Sequence, residues 1–119
     1  VEGEAGNSLP SPAAALAYLQ EFPDGPFALY AHLAAANFFE DLFKVIQTEE
    51  AGKPRDYKFE CFKTYIAKGP LPPQRSRAQA QAVEHYFALT RLRPNVKVFA
   101  EWLADMQKGQ SQGWHHCAD

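Results

Sequence analysis

A chain of 119 residues is enough for one hydrophobic core and too short for two. The 46% hydrophobic content, with nine Phe, five Tyr and two Trp, argues against a disordered chain and for a packed globule. The net charge of −2 conceals an asymmetry: residues 1–50 carry eight acids against Lys44, whereas residues 53–97 carry ten bases against three acids. Either the halves neutralise one another in the fold, or the surface is bipolar and steers a charged partner.

No apolar run nears the roughly 20 residues that a membrane-spanning helix needs. The longest, Phe27 to Ile46, is broken by His32, Asn37, Glu40, Asp41 and Lys44. No basic-then-apolar leader follows Val1, and the expected location is cytoplasmic. Cys61 and Cys117 are too few for a disulfide framework, and Cys61, inside an aromatic segment, is expected as a reduced, buried thiol.

Residues 1–10 (VEGEAGNSLP) lack periodicity and read as a flexible arm. Ser11-Pro12 then starts a short helix that ends at Phe22, before Pro23. The second helix opens with Asp24 as cap and Pro26 in its first turn, and runs to about Glu50, with Gly52 and Pro54 as stops. Phe27, Leu29, Tyr30 and Leu33 cluster in its first half. In its second half Phe38, Phe39, Leu42, Phe43, Val45 and Ile46 form a face wider than the usual 100° or so. At 100° per residue, Phe39, Phe43 and Ile46 point away from Tyr30 and Leu33, so something further must pack there.

A third helix is expected from Asp56, as cap, to Lys68, ended by Gly69-Pro70; GPLPP (69–73) is then a rigid corner. The fourth opens near Pro73 to Ser76 and reaches about Leu92. Pro94 separates it from a fifth, Val96 to Lys108, capped by Asn95. In that last helix Val96, Phe99, Leu103 and Met106 recur at 3-4-3 spacing. Residues 110–119 read as a polar tail with Trp114 as its one aromatic anchor. No useful strand-like alternation occurs. The fold class is therefore all-α, a single compact bundle of about five helices around a long, aromatic-rich central one.

Nothing in the pattern supplies a catalytic signature or a phosphate-binding loop, and no cofactor is expected. His115-His116-Cys117 has metal-ligand residue types, but adjacent ligands on a tail rarely close a tetrahedral site, so no metal is expected. Glu84-His85, with Cys61 or His32, lacks the signature of a Cys/His catalyst. Arg75, Arg77, Arg91, Arg93 and Lys97 flank the fourth helix, and the fourth and fifth together have a helix-turn-helix layout. This leaves a nucleic-acid-associated protein using the basic 75–97 segment as the alternative. Against it, the would-be recognition helix is loaded with Phe99, Trp102, Leu103 and Met106 and carries Glu101 and Asp105. The expected role is non-enzymatic binding of another protein. Phe39, Leu42, Phe43 and Ile46 are the candidate partner or dimer surface, against the reading that they are core.

From Phe27 to Gln47 (FALYAHLAAANFFEDLFKVIQ), continued by YKFECFKTYIAKG, the chain resembles the QslA-like quorum-sensing antiactivators, small bacterial LasR-binding proteins. The resemblance extends to overall size and helical layout. It implies a homodimer that sequesters a LuxR-type transcription factor and prevents it from working as a DNA-bound dimer. It assigns no binding residue.

Overall fold

The computed structural model describes residues 9–111 and 113–117. Five helices follow in order: α1 (Ala13–Glu21), α2 (Ala28–Glu50), α3 (Tyr57–Phe62), α4 (Leu71–Leu92) and α5 (Lys97–Gln107). A 3-10 turn, Lys63–Tyr65, extends α3, and no strand occurs among the described residues. The all-α bundle is as the periodicity predicts. Of the expected flexible arm, residues 1–8 lie outside the described residues; Pro10 is buried, and its carbonyl accepts a hydrogen bond from the Tyr65 hydroxyl.

The helix ends follow local chemistry, with three departures from expectation. Ser11 Oγ accepts the Ala13 N–H at 3.1 Å, and Asp56 accepts the N–H groups of Lys58 and Phe59, as capping residues should. The α2 start is later than Asp24 and Pro26 suggest. The Phe27 N–H goes instead to the Tyr18 hydroxyl at 2.9 Å, so residues 23–27 are spent on a turn against α1. Gly25 is required in that turn, because a Cβ there would fall on the Tyr18 hydroxyl and against the Phe22 Cβ. Val96 rather than Asn95 precedes α5, and it contributes no side-chain cap.

The third departure is α3, which stops at Phe62 and not Lys68. The Gln74 side chain accepts the Ala67 N–H at 2.9 Å and donates to the carbonyls of Ala67 and Pro70. Those main-chain groups are thereby withdrawn from any longer helix, and the corner before α4 is fixed. Gly52 and Gly109 have positive φ, which suits them to the stops beyond α2 and α5, and Gly69, also at positive φ, lies in the corner before α4.

α2 and α4 form the spine and run antiparallel: His32 meets His85, Glu40 meets Tyr86, and Glu50 meets Arg75. Ala78 and Ala82 of α4 are buried, and their small side chains let α4 close onto the aromatic half of α2. The core cluster gathers Phe38, Phe43, Val45 and Ile46 of α2, Phe62 of α3, Tyr86 and Leu89 of α4, and Met106 of α5. The charge asymmetry is partly neutralised inside the fold, with Arg75 on Glu50 and Arg55 on Glu49 at 2.6 Å each. No helix among the described residues is long and apolar enough to cross a membrane.

Residues 111 and 113–117 are not a loose tail: they lie back across α2, and Cys117 forms a disulfide with Cys61. The expectation of a free thiol at Cys61 is overturned, because a fold-back invisible to local pattern joins two cysteines 56 residues apart.

Candidate functional site

In the middle of α2, on its most apolar stretch, stand two adjacent acids that are both wholly buried: Glu40 and Asp41, each 0% exposed. Carrying two carboxylates out of water is tolerable only when their lone pairs meet donors. α4 supplies one donor, and the segment beyond α5 supplies several more. The Tyr86 hydroxyl donates to Glu40 Oε1 at 2.5 Å, with the Asn37 amide 3.0 Å away on its other side. Ser111 Oγ donates to Glu40 Oε2 at 2.6 Å, and His115 Nε2 lies 3.2 Å from Oε1. Asp41 accepts the main-chain N–H groups of both His115 and His116, at 3.1 and 2.7 Å, and His116 Nδ1 lies 2.8 Å from the same Oδ2.

These contacts set the protonation of their partners. Burial, then the facing Glu40 carboxylate, pushes the Tyr86 phenol far above its ordinary range, so it remains a donor. The hydrogen bond to Glu40 outweighs burial at His115 and raises its pKa. Further anchors surround the network. Trp114 packs against the core and lies under the ammonium groups of Lys44 and Lys58, 4.5 and 5.3 Å from its ring. The His116 ring meets Phe38 and Phe62 edge-on.

A second histidine pair joins α2 to α4. His32 Nδ1 and His85 Nδ1 are 2.9 Å apart, and Phe39 stacks parallel on the His85 ring. One ring must donate and the other accept, which requires at least one neutral imidazole. Burial lowers the pKa of both; at His85 the neighbouring His32 adds to the effect. Beside the pair opens a cleft of about 370 Å³ lined by His32, Glu84, Phe87, Arg91 and the Pro23-Asp24 turn. Among the described residues, no three His, Cys, Asp or Glu side chains are grouped to hold a metal ion.

That cleft lies at the end of the bundle where large apolar side chains face water. Phe27 is 61% and Tyr30 66% exposed, and Phe22 and Phe87 are also exposed. The Tyr18 ring sits between Phe22 and Phe27, with centroids 5.4 and 6.1 Å away, which makes one continuous aromatic end with the Gly25 turn at its centre.

The four residues expected to form a partner surface lie elsewhere. Phe43 and Ile46 are 1% exposed, Leu42 is buried, and Phe39 is half-buried, so this strip is packed within the chain. α4 covers it, through the closely approaching alanines that the sequence presents as a featureless run. Phe39, Leu42 and Ile46 do edge a shallow groove of about 280 Å³, shared with Tyr65, Gln74, Arg77 and Gln81. The exposed half of the aromatic helix is the other one, Phe27 and Tyr30. The α5 face that a recognition helix would present, Phe99, Trp102 and Leu103, packs against the core.

Pattern reasoning also passed over Glu40, Asp41, Tyr86 and Ser111. The available signal was the position of Glu40 and Asp41: two consecutive acids amid the widest apolar face of the chain, where one or both must be buried. Compared with known proteins, the chain matches no family model, no curated protein and no solved structure.

Proposed function

We propose that this chain is a non-enzymatic protein-binding module that engages its partner through the aromatic end formed by Phe22, Phe27, Tyr30 and Phe87. The observation that carries this reading is the exposure of four large aromatic side chains near one turn, on a domain whose other phenylalanines are buried or half-buried. Aromatic residues are favoured at the energetic centres of interfaces, and an apolar patch kept in water is a cost that binding relieves. The interior supports a binder more than a catalyst. The acids that could act as acid or base, Glu40 and Asp41, are buried beneath satisfied hydrogen bonds and line none of the three clefts at Val45, His32 and Phe39.

Two partners follow. A second copy of the chain is one. The ligand-binding domain of a LuxR-type transcription factor is the other, on the resemblance of Phe27 to Gln47. Sedimentation velocity tests both, on the chain by itself at micromolar concentration and mixed with such a domain. A species heavier than the 13.3 kDa chain, or a complex, that disappears in the double variant Phe27→Asp, Tyr30→Asp supports the reading. A 13.3 kDa monomer that ignores the regulator domain overturns it.

A further inference from the structure

We propose that the segment carrying Ser111, Trp114, His115, His116 and Cys117 is a strap whose closure is set by the redox state of Cys61 and Cys117. In this inference, which is independent of the aromatic end, a dithiol reductant frees the strap and uncovers the two carboxylates beneath it.

The attachments of the strap divide into two kinds. One is covalent, the disulfide to α3. The others are non-covalent: Ser111 and His115 on Glu40, the His115 and His116 amides and the His116 ring on Asp41, the His116 ring edge-on to Phe38 and Phe62, and Trp114 against the core and under two lysines. Water competes well for the polar contacts among these, so each of them holds only weakly by itself. With Cys117 bonded to Cys61, His115 and His116 stand within two residues of a fixed point and cannot diffuse from Asp41. The disulfide thus turns weak contacts into effectively intramolecular ones. The spine of the fold is built elsewhere, from α2, α4 and α5, and Met106 is its last buried member.

Both cysteines are partly exposed, so a reductant can reach them. A thiolate of the dithiol attacks one sulfur, forming a mixed disulfide and releasing the other cysteine. The second thiol of the reductant then attacks the reductant sulfur of that mixed disulfide and releases the remaining cysteine as a thiol. Two electrons and two protons pass to the protein, which ends with two thiols, and the reductant ends as a cyclic or linked disulfide.

Opening changes the surface of α2. Asp41 loses its three donors from the strap, while Glu40 keeps the Tyr86 hydroxyl. Trp114 also leaves the cleft it shares with Val45 and Phe59. The result is an anionic seat with an apolar edge, occupied in the closed form by the chain's own strap. In an oxidising compartment the seat is shut, and in a reducing one it is open.

Amide hydrogen exchange with and without a dithiol tests this directly. On reduction, protection at His115 and His116 should fall by about tenfold or more, while Phe43 on α2 and Leu89 on α4 keep theirs. Equal protection of His115 and His116 in both states overturns the proposal. So does a loss that extends to Phe43 and Leu89, because the disulfide would then staple the whole domain. Cys61→Ser should exchange like the reduced protein in either condition; a dithiol effect that persists in this variant also overturns the proposal.

Discussion

Asp41, in the middle of α2, accepts the main-chain N–H of His116 at 2.7 Å across 75 residues of sequence. A carboxylate buried in a helix interior is thus answered by backbone from the far end of the chain. Replacing it should be felt both in stability and in the position of that end. Asp41→Ala leaves the two amides and the His116 ring without their acceptor, and a loss of about 2–4 kcal/mol is expected from chemical denaturation. Exchange at His115 and His116 should accelerate in the same variant. A loss under about 0.5 kcal/mol, typical of an uninvolved surface position, would mean that water replaces the clasp freely.

The histidines should titrate in opposite directions. His115 has a raised pKa in the fold, chiefly through its hydrogen bond to Glu40, so its stabilising contribution is full below the unfolded value of about 6.5. That contribution is lost as pH rises through the folded value. Burial depresses His32 and His85, so their neutral pairing contributes fully above about 6.5 and is lost as pH falls through their folded values. Proton NMR of the ring signals should place the His115 midpoint above 6.5 and those of His32 and His85 below it. A common midpoint would mean that neither environment persists in solution.

Substitutions in the two halves of α2 should have opposite consequences. Phe43→Asp places an unpaired carboxylate at a site that is 1% exposed, at an expected cost of about 4–5 kcal/mol or more, out of a typical total of about 5–15. Circular dichroism should record partial or complete unfolding. Tyr30→Asp, on an exposed face, should change stability by no more than about 0.5 kcal/mol. A folded Phe43→Asp protein would return the Phe39, Phe43 and Ile46 strip to the surface.

Chelation should leave the fold untouched. The histidines of the strap are engaged by Glu40 and Asp41, and no ligand set of three is grouped among the described residues. EDTA is expected to shift the thermal midpoint by less than about 1 °C, in contrast to domains whose folding energy is metal-binding energy. A drop of several degrees would identify a metal held in solution.

The helices were legible because each depends on nearby residues: Ser11 and Asp56 accepting helix-start N–H groups, Gly52 and Gly109 as stops, and the 4-3 spacing of Phe99, Leu103 and Met106. The early end of α3 was not legible, since it depends on Gln74 reaching back to Ala67 across the proline corner. Which residues of α2 the chain itself covers was not legible for a related reason. Periodicity correctly gave α2 two apolar directions, but which one is covered depends on where α4 lands. Burial of Ala78 and Ala82 decides this, because small side chains permit close approach without advertising it. The fold-back of residues 111–117 left still less trace, being held by a disulfide and by hydrogen bonds to the main chain of His115 and His116, which composition and spacing do not record.

The clasp also has a consequence for the order in which the molecule is made. Glu40 and Asp41 lie on α2 and precede Tyr86 of α4, which in turn precedes Ser111, His115, His116 and Cys117. Both helices are therefore synthesised before the His115 and His116 N–H groups that Asp41 accepts.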